Sequence, residues 1–466
     1  MKKCKKLTAL LMAGVMGLSL FGCSSGKDAP TTAATKAPET QAPETKAPEA
    51  SATAAPETTA EAEAADVNGD GTVNNPEKIV AGEHELIFWS LFSGGDGDWM
   101  DKIIDDYNAT NPEYKIVPVK LVWADYYTKL MTAVAAGKGP DIGVSHVSKL
   151  PELVANGAVQ SFETSLDWSE YTEGARNTVT FDGEVYGVPL DTHCLIAYLN
   201  TDLFKEAGIE PDLSVNTEDD FVALLKQLKE KLPEGTYPLA MDKIQDYPFR
   251  YWWQVYYSMG GTNVIDADGK VAIDRDKAIK AAEFIKMLFD EEYITPNLTT
   301  TEEQDKIFQA GKAAMVFTGT WCVGKFGATD GLNFKATLVP SLFGTESAWA
   351  DSHVFTIPVN PGRTPEETQG AIDFITWASK NGGLTWAESG QIPSNLTVTQ
   401  SDAFKALPQR SEYMRAAQIA AYPPQSESFY TARADMIEKL DSYWNGDVSA
   451  EDMVDDMIAT IRADIE

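Results

Sequence analysis

Cysteine, histidine and positive charge are all scarce in this chain. Four cysteines in 466 residues are too few for the disulfide framework that staples small secreted folds. Lysine and arginine number 38 against 70 aspartates and glutamates, a formal charge of −32. Such a surface repels the phosphates of nucleic acid and of anionic lipid headgroups, so neither is expected as a partner. It suits a soluble protein that takes neutral or cationic cargo. No HExxH, GxSxG or CxxC occurs, which leaves no signature of a zinc peptidase, an α/β-hydrolase elbow or a paired-thiolate site. Gly319-Thr-Trp-Cys-Val-Gly324-Lys325 imitates a phosphate-binding loop, but Phe326 stands where magnesium needs a hydroxyl. Acids are abundant enough for the carboxylate pair of a glycoside hydrolase, yet nothing in the sequence selects one.

Long apolar runs are missing too, apart from Leu7 to Phe21. Lys2, Lys3, Lys5 and Lys6 precede that run, and it closes on Leu20-Phe21-Gly22-Cys23. A basic start, a short apolar middle and small residues at a cut site make an export signal over residues 1–22, too short to span a membrane comfortably. Its ending resembles the lipobox of bacterial lipoproteins, which implies lipidation of Cys23, palmitate included, and anchorage on the extracytoplasmic face of the cell membrane. Cys194 and Cys322 then remain; they are expected as free buried thiols, with a pairing left open. Residues 23–84 read as a disordered Pro/Glu/Thr-rich tether, because Ala-Pro-Glu-Thr repeats carry no large apolar side chain to bury. Within it, Asp66-Val-Asn68-Gly-Asp70-Gly-Thr72-Val-Asn74-Asn-Pro-Glu77 fits the calcium-loop pattern D-x-[DN]-x-[DN]-G-x5-E. It resembles dockerin and EF-hand loops, although Pro76 and Gly82 discourage the usual flanking helix. A calcium site at 66–77 and a solvated acidic hinge are both open, and no other cofactor is expected.

Beyond Glu85 the pattern alternates. Leu86-Ile-Phe-Trp89 is an apolar strand, and Met100, Ile103, Ile104 and Tyr107 lie on one face of a helix. Lys115 to Trp123 is a second strand, Asp125 to Ala136 an amphipathic helix and Asp141 to Ser145 a third strand. Repeated βα units imply an open α/β sheet with helices on both faces. Ligands gather outside the carboxyl ends of such strands, which points to Ser93–Asp96, Trp123 and Ser145–Lys149. Helices are expected over 218–231, 248–259, 277–291, 302–310, 371–380 and from 414 to the end. Strands near 191–199 and 353–358 read as crossings between two lobes that exchange chain.

Phe308 through Gly-Lys-Ala-Ala-Met315 to Gly319-Thr-Trp321 resembles the signature of extracellular solute-binding protein family 1, the maltose-binding-protein-like receptors of ABC sugar importers. Phe88-Trp89-Ser90, Tyr127-Thr-Lys-Leu130, Gly139-Pro-Asp-Ile142, Val188-Pro189, Asn200 with Asp202-Leu-Phe204, and Ile392-Pro393-Ser394 match in the same order. The resemblance implies a periplasmic-binding-protein-like type II fold, two α/β lobes with a hinge and an interlobe ligand cleft. The lobes are expected at 85–191 plus about 354–384, and at 192–353 plus about 385–466. It further implies a monomeric receptor, not an enzyme, that delivers a mono- or oligosaccharide to ABC permease subunits. A sensor presenting sugar to a membrane kinase and a secreted glycoside hydrolase are the alternatives.

Sugar rings stack their C–H faces on aromatic side chains and need donors and acceptors for their hydroxyls. Trp321 holds the family position for stacking. Arg250 and Trp253 sit early on a helix opened by Pro248, and Trp349 precedes a crossing; Tyr422 is a weaker candidate. His146, His193 and His353 follow strand ends or crossings and can each offer one donor and one acceptor. As metal ligands they lack any close spacing such as H-x-x-x-H, so they are read as hydroxyl partners. Asp96 and Asp191 are the candidate charged acceptors.

Overall fold

The structure, a computed structural model, describes residues 65–466 except 297 and 299–302. The signal at 1–22, Cys23 and the tether as far as residue 64 lie outside the described residues. Two mixed sheets carry the body. The first orders β2 (Lys115–Lys120), β1 (Glu85–Ser90), β3 (Ile142–His146), β12 (His353–Thr356) and β6 (Val188–Pro189). β1 runs parallel to β2 and β3, whereas β12 is antiparallel to β3 and β6. β1 and β3 are buried along nearly their whole length, as expected for strands covered by helices on both faces. The helix Gly97–Ala109 turns Met100, Ile103, Ile104 and Tyr107 inward, so the spacing read from the sequence describes its buried face.

The second sheet is built around β7 (Asp191–Asn200), whose ten residues are almost all buried. Its main path is β14 (Ala420–Ala421), β11 (Ala348–Asp351), β7, β9 (Ala313–Gly319) and β8 (Tyr237–Ala240), with β10 (Phe334–Thr337) and β13 (Ile392–Pro393) also paired to β7. A small hairpin of β4 (Thr180–Phe181) and β5 (Glu184–Val185) stands apart. Helices Glu218–Lys231, Asp246–Ser258, Arg275–Asp290, Phe429–Asn445 and Ala450–Ile465 complete this lobe's core. The C-terminal region is not continuously helical. Tyr422-Pro423-Pro424 separates β14 from the helix at Phe429, and Gly446 ends that helix in a left-handed conformation.

Chain passes from one sheet to the other within single residues. Pro189 pairs in the first sheet and Asp191 in the second; Asp351 pairs in the second and His353 in the first. Leu190 and Ser352 are therefore the crossing residues. Asp191 joins the second sheet and His353 the first, each one residue across the boundary expected from sequence. A third passage precedes Ile392, where the helix Gly383–Ser389 puts Trp386 into the first lobe's core.

The segment 66–78 is folded rather than spacer. Val73 is buried in the first lobe's core, its N–H donates to the Lys120 carbonyl at 2.8 Å, and Thr72 is fully buried. One valine and one threonine in a polar run gave no periodic signal for this docking. Among the described residues no helix is long and apolar enough to cross a membrane.

Candidate functional site

The crossings place side chains from both sheets on one cavity. Register sets His353 opposite His146 across β12 and β3, and Asp351 opposite His193 across β11 and β7. Because the two crossing residues are adjacent in space, His146, His193 and His353 meet although they are far apart in sequence. Ring centroids are 4.2 Å apart for His193 and His353, 5.0 Å for His146 and His353, and 5.6 Å for His146 and His193. A ring nitrogen of each lies within 4.8 Å of the others.

Behind the histidines lies Asp191, fully buried. Its carboxylate accepts from His353 N at 3.0 Å, His353 Nδ1 at 2.8 Å, Trp386 Nε1 at 2.7 Å and His193 Nδ1 at 3.4 Å. Burial alone would raise its pKa, but the charge and hydrogen bonds of His353 and His193 outweigh this and hold it below the ordinary value. His353 is the converse: burial pulls it down, the Asp191 charge more than restores it, and its pKa ends raised. Burial and the neighbouring His353 lower His193 to about 4, and burial with the same neighbour takes His146 well below its ordinary value. The Tyr127 hydroxyl fixes His146, accepting from His146 N at 2.8 Å and sharing a 2.7 Å hydrogen bond with Nδ1.

Around this cluster the cavity encloses about 290 Å³, the lower end of the range for small-molecule sites. The first lobe contributes Phe92, Ser93, Asp96, Trp123, His146 and His353, and the second His193, Asp246, Tyr247, Arg250 and Trp321. Asp96 precedes the helix Gly97–Ala109; burial raises its pKa, and it accepts from Gln391 Nε2 at 2.9 Å. Arg250 lies over the rings of Trp349, Trp321 and Tyr247 at 4.6, 5.0 and 5.2 Å. Trp321 sits on the turn after β9. A Cβ at Gly319 would come within 2.0 Å of its ring, so this glycine is what lets the indole fold back toward His193. Asp70, from the 66–77 segment, reaches the cavity mouth.

Not every expected residue faces the cleft. Trp253 is fully buried in the second lobe's core, and its Nε1 donates to the Ala421 carbonyl at 2.8 Å. Ser145 precedes His146 on β3; side chains alternate along a strand, so Ser145 turns away, fully buried, its Oγ without a partner among the described residues. Asp191 orients histidines rather than lining the cavity. Trp349 lines a smaller adjoining void with Trp123, His146, Asp351, Tyr430 and Arg433. Phe92, Asp246 and Tyr247 were not singled out as ligand contacts from sequence; the last two open the helix that carries Arg250.

In the 66–77 segment, Asp70 accepts from Thr72 N at 3.0 Å and Thr72 Oγ1 at 2.7 Å. Asn68 and Asn74 hydrogen-bond each other, and Asn74 Nδ2 donates to Asp66 at 3.0 Å. The backbone N–H of Asp66 donates to the Asn75 side chain at 2.6 Å, and Glu77 is exposed. Cys194 and Cys322 are free and buried, and Cys322 Sγ donates to Asp305 at 3.2 Å.

Residues 102–412 match the family model described as bacterial extracellular solute-binding protein. Among curated relatives, an arabinooligosaccharide-binding protein of Halalkalibacterium halodurans is 26% identical over 53% of this chain and 56% of its own length. A lactose-binding protein of Rhizobium radiobacter is 26% identical over 59% of this chain and 66% of its own. Less than two thirds of either relative is thus spanned. Two solved structures share the fold. One is a solute-binding protein of Thermotoga lettingae with α-D-tagatose (TM-score 0.73, 17% identity, 82% of this chain and 100% of that one). The other is the maltotriose-binding protein of Thermus thermophilus (TM-score 0.70, 16% identity, 82% and 100%). A type II binding-protein fold, a cleft walled by both lobes and a family model covering most of the chain together make this protein a member of the bacterial extracellular solute-binding proteins.

Proposed function

We propose that this protein captures a short saccharide in the interlobe cleft, without chemical turnover, and delivers it to the membrane permease of an ABC importer. The observation that carries the reading is the make-up of the cavity wall. Phe92, Trp123 and Trp321 offer apolar ring faces, and Asp96, Asp246, Arg250 and the histidines offer hydrogen-bonding groups from both lobes. Flat C–H faces with a rim of hydroxyls are the chemistry such a wall complements. Relatives described as binding arabinooligosaccharide and lactose support the class of cargo. A cavity of about 290 Å³ favours a short saccharide over a long chain. The export signal and Cys23 support a receptor held by lipid on the extracytoplasmic face, acting as a monomer beside its permease. A panel of mono-, di- and trisaccharides screened by thermal shift tests the reading. At least one should raise the melting temperature in proportion to its concentration. No saccharide doing so, while another solute class does, would overturn it.

A further inference from the structure

The histidine cluster asks for more than hydroxyl recognition. A saccharide hydroxyl donates one hydrogen bond and accepts one or two, whereas here a ring nitrogen from each of three imidazoles on three strands lies within 4.8 Å of the others at the seam. Three rings converging this closely give one shared cation a ready set of nitrogen donors. Two of the rings are also pre-oriented. Nδ1 of His353 and Nδ1 of His193 both face the Asp191 carboxylate. A ring nitrogen facing a buried carboxylate carries a proton, so in the neutral ring the lone pair is on the opposite nitrogen, Nε2, directed away from Asp191. A carboxylate behind a histidine in this way is the outer-shell arrangement that fixes tautomer and raises ligand basicity at metal centres. Asp191 itself cannot swing, because Trp386 and the His353 backbone also donate to it. The third ring, His146, is held through Nδ1 by the Tyr127 hydroxyl.

We propose that His146, His193 and His353 form a three-histidine site for a single first-row transition-metal ion of the zinc class, with Asp191 and Tyr127 as its outer shell and its open position facing the cavity. Three imidazoles with a vacant fourth position match zinc, cobalt or nickel chemistry and do not suit calcium or magnesium, which take oxygen ligands. Metal–nitrogen bonds of about 2.0–2.1 Å require nitrogens about 3.3 Å apart in a tetrahedral site. The nitrogens, all within 4.8 Å of one another here, must therefore draw closer as the ion enters. All three histidines line the cavity together with Asp96 and Trp321, so an oxygen of cleft-bound cargo can take the fourth position. The site stands on residues of this chain alone and does not depend on the cargo being a saccharide.

Cobalt(II) titration of the chelator-stripped, full-length chain, with no sugar present, tests it. The expected result is one equivalent of cobalt giving the intense visible bands of a tetrahedral nitrogen-ligated ion, displaced by zinc. His193→Ala and His353→Ala should each abolish the bands, Asp191→Asn should weaken zinc about 10–100-fold with the ligands kept, and Asp66→Ala should change nothing. Thermal melts of each variant separate lost ligands from lost fold. If the folded wild-type chain gives no such bands, or if they persist in both histidine variants, the site does not exist. Because no saccharide enters this assay, its failure leaves the proposed cargo untouched.

Discussion

Trp321 owes its position to a missing side chain two residues earlier. With a Cβ on Gly319 2.0 Å from the indole, Gly319→Ala must push the ring out of the cleft wall. Trp321→Ala should weaken ligand binding by about 1–2 kcal/mol through lost stacking, and Gly319→Ala should weaken it comparably; calorimetric titration reads both. An unchanged affinity in a folded Trp321→Ala chain would remove the indole from the binding wall. Asp191 works differently, since it is fully buried and does not line the cavity. Removing it leaves the His353 and Trp386 donors buried without their acceptor, so Asp191→Ala should cost about 3–5 kcal/mol of stability in denaturant melts. Why Trp253 was mistaken for a cleft residue follows from its helix. Apart from Tyr257, Asp246–Ser258 is buried all round, so burial alone marks no wet side; its polar residues Asp246, Arg250, Gln254 and Ser258 recur every four residues, and Trp253 falls outside that stripe. Where a helix has a wet side, as in Gly97–Ala109, the same reasoning placed every buried residue from Met100 to Tyr107.

Elements meet the cleft through their ends, and two of these ends depend on a single residue. Gly390 closes the helix Gly383–Ser389 with φ +121°, and a Cβ there would lie 1.9 Å from the Thr320 carbonyl oxygen. Gly390→Ala should therefore lower the melting temperature sharply and disturb Trp321 next door, which its fluorescence would report. The helix Asp246–Ser258 begins where Gln245 N donates to Asp441 at 3.0 Å. Burial pushes the Asp441 carboxyl up to about 6, partly countered by that hydrogen bond. An acid raised above its unfolded value of about 4 binds its proton more tightly when folded. It thus adds stability as pH falls from about 6 to about 4, and opposes folding above. Asp441→Asn should stabilise the protein at pH 7 by roughly 1 kcal/mol, the full shift being discounted for partial solvation. It should give no gain near pH 4; equal stabilisation at both pH values would contradict the argument. Strand order also sets what sequence reading could reach. The first lobe's strands and most long helices were legible because each buries an apolar run or stripe, whereas β8, β9, β10 and β11 of the second sheet were not assigned from sequence. The one-residue crossings at Leu190 and Ser352 were not, because pairing partners distant in sequence decide which sheet each residue joins.

Taken whole, the molecule is two lobes whose shared boundary is its binding wall. Phe92, Asp96, Trp123, His146 and His353 approach from one side and His193, Tyr247, Arg250 and Trp321 from the other. A ligand touching both sets stabilises the closed arrangement over the open one by whatever contacts only closure completes. The ordered 66–78 segment belongs to this body, since it buries Val73 and brings Asp70 to the cavity mouth. A chain starting at residue 83 should accordingly be less stable than one starting at residue 65, by about 1.5–3 kcal/mol for the lost valine burial alone; equal urea midpoints would show that the segment contributes nothing. The proposal that the cleft binds short saccharides rests on its wall chemistry and is most directly read by tryptophan fluorescence titration against a saccharide panel, run in parallel on the wild-type and Trp321→Ala chains. The account predicts saturable quenching or enhancement by at least one short saccharide in the wild type and a weakened response in the variant. A flat response to every saccharide from a folded wild-type chain would contradict it.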